Sequence, residues 1–222
     1  MRTSDLPVFL VGVAVLAFFL VGESRALYES AYLTAPLVVT FVKFALLATG
    51  GEIVAMRLRT GSYGIRGFGA LPKMIVWGIL GLAIYAAFAI FAAGVPTLFS
   101  PVLAPIGSSR VEPILRAFLI SLFMNLIFAP PMMLTHHITD RYIANNGGRF
   151  PLGRFRLRPL LDTIDWDRMW GFVYKKTIPF FWIPAHTITF LLPEQFRTAF
   201  AAILSVALGL FLGVVGSVKQ RS

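Results

Sequence analysis

Long apolar segments separated by short polar ones dominate the chain. At about 1.5 Å of rise per residue, a helix of about 20 residues crosses a hydrocarbon core about 30 Å thick. The pattern predicts an all-α, polytopic transmembrane bundle of about six helices. The six segments are Leu6–Val21, Thr34–Met56, Pro72–Ala93, Pro113–Thr139, Thr177–Leu192 and Phe196–Val218, of which the first and fifth are marginal in length.

Prolines predict where these helices bend or stop. We expect an irregular loop over the proline- and glycine-rich residues 95–109. Pro130 and Pro131 should kink or end the fourth helix, because proline lacks an amide N–H and clashes with the preceding turn. Pro179 and Pro184 should bend the fifth helix in the same way.

Composition agrees with lipid as the main solvent. Only 14% of the 222 residues are charged and 57% are hydrophobic, whereas soluble domains carry about 25% charged residues. We expect one integral membrane domain over residues 1–222, with an additional N-terminal helix (1–27), a helical core (28–218) and a basic cytoplasmic loop (141–176). The absence of cysteine excludes thiolate chemistry, and we expect no cofactor and no bound metal.

The distribution of basic residues predicts the topology. With six crossings and a cytoplasmic N-terminus, 15 of the 20 lysines and arginines lie inside, three lie outside, and Lys43 and Arg116 fall within helices. This asymmetry is what the positive-inside rule requires, and it explains the net charge of +10 without a nucleic-acid partner. We predict a multi-pass protein of a bacterial-type inner or plasma membrane with both termini cytoplasmic. Val21-Gly22-Glu23 does not form a small-x-small cleavage site, so we expect the first helix to be retained.

The basic loop contains an amphipathic segment after Asp165, a predicted N-cap. Its apolar residues recur at helical spacing, at Trp166, Met169, Trp170, Val173 and Tyr174. Two interpretations stay open: a helix lying in the membrane interface, or the start of the fifth helix. The arginines between Arg149 and Arg158 would lie near anionic lipid headgroups.

Charged and polar groups inside the predicted helices are the candidates for chemistry, because ionisable groups within a bilayer are costly and are often functional. Lys43 should face the bundle interior, and Glu52, nine residues later, should lie near the cytoplasmic end on the opposite face. Asn125, His186 and Thr189 either line a polar path or bond between helices. Arg116 should extend its charge outward to water.

Two further patterns are weaker. His136, His137 and Asp140 suggest a metal site, but no third ligand set has a familiar spacing, so an interfacial histidine pair is the favoured interpretation. Small residues recur at every fourth position of the last helix, which suits close packing within the monomer or a homo-oligomer contact. These positions are Ala201, Ser205, Gly209 and Gly213.

Residues 181–197, FWIPAHTITFLLPEQFR, resemble the C-terminal signature of the Mpv-seventeen/peroxisomal membrane protein family, approximately F-W-P-P-x-Q-x-x-N-F-x-L-V-P-x-x-x-R. His186 replaces the family's glutamine and Thr189 its asparagine. Residues 32–37 are similar to its opening Y-L-x-x-H-P-L, and residues 51–55 to its G-D-x-x-A-Q motif, with Glu52 in place of the aspartate.

The resemblance, which covers residues 28–213, implies a distant, bacterial-type relative of small helical membrane proteins thought to form pores for small solutes. It carries over to Glu52, Trp182, Pro184, His186, Thr189, Phe190, Pro193 and Arg197.

The leading hypothesis is therefore a small-solute channel or permeation protein, not an enzyme. Lys43 and His186 would line the path and Glu52 would lie at its cytoplasmic end, and a basic lining would favour anions or small metabolites. The alternative is a non-conducting scaffold or regulatory protein that acts through helix–helix and lipid contacts. A membrane enzyme using His136, His137 and Asp140 ranks last.

Overall fold

The computed structural model of the protein describes residues 22–64, 67–107 and 109–219. Within these residues the chain forms helices and connecting turns and no strand, which confirms the all-α prediction. The α-helices are α1 (Gly22–Thr34), α2 (Pro36–Thr60), α3 (Ala70–Leu98), α4 (Ser100–Leu103), α5 (Val111–Ile127), α6 (Ala129–Asn145), α7 (Leu157–Leu161), α8 (Trp166–Arg168), α9 (Ile183–Leu191) and α10 (Glu194–Lys219). A π-helix spans Met169–Trp182, and single 3-10 turns span Ala104–Ile106 and Leu152–Arg154.

The N-terminal region differs from the expected division at residue 27. The apolar segment Leu6–Val21 lies outside the described residues, so its retention as a helix stays a prediction. Helix α1 runs across the expected boundary and was not predicted, because its polar residues break the apolar periodicity. It packs against α2 through Tyr28 and Tyr32, which are both buried.

Helix α2 lies at the centre of the bundle, with α3 packed along one side and α10 along the other. Glycines permit the close approach of α2 and α3: a Cβ atom at Gly81 would lie 2.6 Å from the Cβ of Phe44, and one at Gly78 would overlap the ring of Phe41. Phe44 is only 1% exposed. The main core therefore forms where aromatic side chains of α2 fill the space that glycines leave on α3.

The expected loop over residues 95–109 is shorter than predicted. Helix α3 continues through Pro96 to Leu98, and α4 and a 3-10 turn follow almost directly. Proline is tolerated at this point because only the last turn of the helix loses a hydrogen bond.

The fourth apolar segment is bent, as its prolines predicted. Helices α5 and α6 meet at 46° on either side of Phe128. Pro130 and Pro131 lie in the first turn of α6 rather than at the end of a helix. In a first turn the amide N–H has no helical partner, so its absence costs nothing.

Between Trp166 and Leu191 the chain is continuously helical. The structure therefore favours the second interpretation of the amphipathic segment, as the start of the fifth helix. Asp165 caps it as predicted, accepting a hydrogen bond from the Arg168 N–H at 2.9 Å. Pro179 lies inside the π-helix, and the bend expected at Pro179 and Pro184 stays a prediction.

Among the described residues, α2 and α3 are long and apolar enough to cross a membrane, and the bent pair α5–α6 raises the number to three if it forms one span. The outer face of α2 is apolar and uncovered: Val38 is 63% exposed, Val42 45% and Leu46 55%. An apolar stripe of this kind suits contact with lipid, which needs no polar surface.

Candidate functional site

Lys43 lies between α1, α2 and the start of α10. Its Nζ donates hydrogen bonds to Tyr28 Oη at 2.6 Å and to Thr198 Oγ1 at 2.7 Å. The same ammonium lies 5.0 Å from the ring centroid of Tyr28 and 5.2 Å from that of Tyr32, within the range of cation–π attraction. Lys43 thus faces the interior, as predicted, surrounded by hydroxyl groups and aromatic rings.

Tyr28 links this lysine to the first turn of α10, because its hydroxyl donates to the backbone oxygen of Gln195 at 2.7 Å. Burial raises the pKa of Tyr28 to about 12. The phenol therefore stays protonated at neutral pH and can accept from Lys43 while it donates to Gln195.

A cavity of about 370 Å³ lies beside the Lys43 centre. It shares Tyr32 and Thr198 with that centre, and Arg197 and Glu194 add one charge of each sign to its wall. The remaining lining is aromatic or small: Tyr85, Phe88, Ala89, Ala92 and Ala93.

Asn125 and His186 form a second polar centre between α5 and α9. The side-chain amide of Asn125 lies within 3.2 Å of His186 Nδ1, and its Nδ2 donates to the Ser121 backbone oxygen at 2.8 Å. Ser121 Oγ donates to the Ile183 backbone oxygen at 2.7 Å. The sequence left these residues as either path-lining or interhelical, and here they bond between helices.

Phe88 connects the cavity with the second centre. It lines the cavity, and its ring meets His186 edge to face at a centroid distance of 5.6 Å and Phe190 at 5.0 Å. Thr189, predicted as a path residue, is fully buried beside this group but donates to the Ala185 backbone oxygen of its own helix at 3.0 Å.

A third centre forms where α2, α3 and α6 converge. Lys73 Nζ donates to Glu52 Oε2 at 2.6 Å and to Asp140 Oδ1 at 2.5 Å, and Trp77 Nε1 donates to Glu52 Oε1 at 2.6 Å. Lys73 is only 8% exposed. The topology count placed this lysine in a cytoplasmic loop, but it lies in the first turn of α3 and forms ion pairs with two carboxylates.

The third centre also contains the ligand set that sequence spacing did not supply. One ligand atom each from Glu52, His136 and Asp140 lies within 4.8 Å of the others, with His136 Nε2 at 3.6 Å from Glu52 Oε1 and 3.9 Å from Asp140 Oδ2. Glu52 could not be assigned from spacing because it comes from a different helix. Lys73 already places a cation between the two carboxylates and offsets one of their two negative charges.

Arg116 and Glu112 form an i,i+4 pair on α5, with Arg116 Nε 2.7 Å from Glu112 Oε1. Glu112 is buried, whereas Arg116 is exposed, in agreement with the expected outward direction of its charge. Both line a more open cavity of about 340 Å³ next to α4.

The positions singled out by the family resemblance are mostly structural. Trp182 stacks on His186 with ring centroids 5.1 Å apart, and its Nε1 is buried without a hydrogen-bond acceptor in the described part of the chain. Pro184 lies in the first turn of α9, and Pro193 separates α9 from α10. Arg197 caps α9, donating from Nε to the Leu192 backbone oxygen at 3.0 Å and from Nη2 to that of Phe190 at 3.3 Å.

Of the small residues on the last helix, Ala201 is buried in the main core. The side chains of Ser205, Gly209 and Gly213 lie outside the described residues, so the choice between monomer packing and a homo-oligomer stays open. Between these positions, Val206 of α10 packs against Gly51 of α2, where an added Cβ would lie 3.1 Å from the Val206 Cα.

Sequence reasoning missed Tyr28, Lys73 and Thr198. Tyr28 lies between the first two predicted segments, Thr198 is a single hydroxyl residue at the start of the predicted segment Phe196–Val218, and Lys73 was absorbed into the positive-inside count. The available signal for Tyr28 and Thr198 was an aromatic or hydroxyl residue near a predicted helix end. Such a residue does not reveal its partner when that partner is distant in sequence, and Lys43 and Thr198 are 155 residues apart.

Comparison with known proteins identified no relative: no protein-family model, no curated protein and no solved structure matches this chain. The similarity to the Mpv-seventeen/peroxisomal membrane protein family therefore stays a prediction from short motifs.

Proposed function

We propose that the protein is a membrane permeation protein for small solutes, described here in a closed state. The observation that carries this proposal is the sequence of contacts from the 370 Å³ cavity through Phe88 to the buried Asn125–His186 centre. A polar centre directly behind an aromatic residue suits a path that is closed by an apolar constriction, which excludes water until it widens.

The proposed topology has six crossings: the segment 6–21, α2, α3, the bent pair α5–α6, the helix from the π-helix through α9, and α10. Both termini and the basic loop lie in the cytoplasm in this arrangement. The cavity then opens toward the outer side, and the Glu52–Lys73–Asp140 centre lies at the cytoplasmic end. The exposed apolar face of α2 supports the lipid contact that this topology requires.

One feature supports a path through the second centre, and another supports closure of the cytoplasmic end. Trp182 Nε1 is a buried donor without an acceptor among the described residues, and such groups call for a specific explanation. A hydrated route beside His186 would supply the acceptor. At the cytoplasmic end, the ion pairs of Lys73 join α2, α3 and α6, and we propose that they hold that end closed.

The test is solute flux through the purified protein in liposomes. Phe88→Ala should raise the flux of small solutes severalfold, because it removes the constriction, whereas Lys43→Leu and His186→Ala should lower it. Phe123→Ala is the matched control: Phe123 pairs with Phe99 at 5.0 Å, lies away from the cavity lining and should leave flux at the wild-type level.

If neither the wild type nor Phe88→Ala conducted while both remained folded, permeation would be the wrong function. The non-conducting scaffold would then be the better proposal, and its dimerisation would be examined with Gly209→Leu.

A further inference from the structure

The two lysines that α2 and α3 direct into the bundle differ in their counter-charges; Lys73 is buried and Lys43 is half-buried. Lys73 is paired with two carboxylates, whereas the two hydrogen-bond partners of Lys43 are neutral hydroxyl groups. No carboxylate pairs with Lys43 within the described part of the chain. A cation withdrawn from much of its water is costly without an opposite charge, so the half-buried Lys43 centre is electrostatically suited to receive an anion.

The neighbouring cavity offers the place for it. Thr198 lines the cavity and also accepts the hydrogen bond from Lys43, so the ammonium lies one side chain behind the cavity wall. Arg197 contributes a second cationic group to the lining. Both positive charges therefore act on the same cavity.

The other lining residues restrict the kind of anion. Tyr32, Tyr85 and Phe88 provide apolar ring surfaces for a flat ligand body. Glu194 lies in the same wall, and its carboxylate would repel a second negative charge on the ligand. A volume of about 370 Å³ falls at the small end of ligand-binding cavities, which span about 300–1,000 Å³.

We infer that this cavity binds a small organic monoanion, a carboxylate on a flat apolar body, with the carboxylate toward Lys43 and Arg197 and the apolar body against the aromatic residues. This deepens the proposed function by naming its substrate class, and the transport of the ligand rests on that function. Binding itself requires only the cavity.

The test is calorimetric titration of the full chain in a neutral detergent with benzoate, and with benzyl alcohol as its uncharged counterpart. Benzoate should bind saturably and at least about tenfold more tightly than benzyl alcohol, a difference of about 1.4 kcal/mol. Lys43→Met should lower the affinity for benzoate by about 30-fold or more and leave the affinity for benzyl alcohol unchanged. Lys175→Met, which removes an exposed charge from the π-helix, is the matched control and should change neither affinity.

Equal affinities for the two ligands, or an unchanged benzoate affinity in Lys43→Met, would overturn the inference. Should Lys43→Met fail to fold, Thr198→Val decides the matter. It should weaken benzoate severalfold, because it removes the hydroxyl between ammonium and cavity, and an unchanged affinity would reject the site. Its control is Thr187→Val, whose hydroxyl bonds to the Ile183 backbone oxygen of its own helix at 2.8 Å.

The charge of Glu194 gives a selectivity test. Phthalate, a dianion of similar shape, should bind more weakly than benzoate to the wild type, and Glu194→Gln should reduce that difference. Titration measures binding independently of flux. Benzoate binding without flux would therefore reject the proposed permeation function and leave the binding site in place. Flux of small solutes without benzoate binding would reject only the assigned ligand class.

Discussion

At the scale of single residues, three polar groups inside the bundle are stabilised in three different ways. Lys73 is neutralised by Glu52 and Asp140, Lys43 is held by hydroxyl groups and aromatic rings, and His186 shares its Nδ1 with the amide of Asn125. Only the first arrangement balances a full charge with full charges. Among these three groups, substitution of Lys73 should therefore reduce stability the most. Substitution of Lys43 should reduce ligand binding the most.

We expect Lys73→Met to lower the free energy of unfolding by about 3–5 kcal/mol, because it leaves two partly buried carboxylates without their cation. Reversible unfolding in mixed micelles measures the change. Lys175→Met, at an exposed position, should stay within about 0.5 kcal/mol of the wild type. A loss below about 1 kcal/mol for Lys73→Met would mean that water already screens this centre.

At the scale of helices, close contacts rather than propensity determine how the bundle packs. Gly78 and Gly81 on α3 face Phe41 and Phe44 on α2 without space for a Cβ atom. Helices in lipid gain little from apolar burial, so the close fit of small residues against large ones provides much of their association.

Gly81→Ala should destabilise the protein by about 1–3 kcal/mol, since its new methyl group would overlap Phe44 and force α2 and α3 apart. Gly94→Ala is the matched control on the same helix, because a Cβ there meets nothing within 4 Å. It should be neutral or stabilising by up to about 1 kcal/mol, the difference in helix propensity. Equal thermal stability of the two variants would show that α2 and α3 can separate slightly without loss.

At the scale of the whole molecule, the proposed membrane topology determines which side of the membrane each of the three polar centres lies nearer to. The proposed six crossings place the Lys43 cavity toward the outside and the Lys73 centre toward the cytoplasm. The same topology places the exposed residues Gly153 and Ser109 on opposite sides of the membrane.

Because the chain contains no cysteine, single cysteines can report this topology directly. In intact cells a membrane-impermeant maleimide should label Ser109→Cys and not Gly153→Cys, and in inverted vesicles the labelling should be reversed. Labelling of both positions from the same side would remove one crossing between them and reject the proposed topology.

Hydrophobic spacing was enough to predict an all-helical protein and the central parts of helices α2 and α3. The residue types Pro130 and Asp165 predicted the bend and the helix cap. These features depend on residues within one or two turns of each other, so local periodicity and proline chemistry report them directly. The first and last residues of α1, α3 and the π-helix could not be predicted from the sequence. Polar residues in α1 and prolines inside the other two helices interrupt the apolar pattern.

Partners distant in the chain were decided by tertiary structure. Glu52 and Lys43 were recognisable as unusual charges, but Lys73 lies 67 residues from Asp140, and Lys43 lies 155 residues from Thr198. No helical period connects such positions, since their proximity results from the packing of α3 against α6 and of α2 against α10. Local sequence thus determined which residues enter the bundle, and the packing of its helices decided which lysine is paired with carboxylates and which lies behind a cavity wall without one in the described part of the chain.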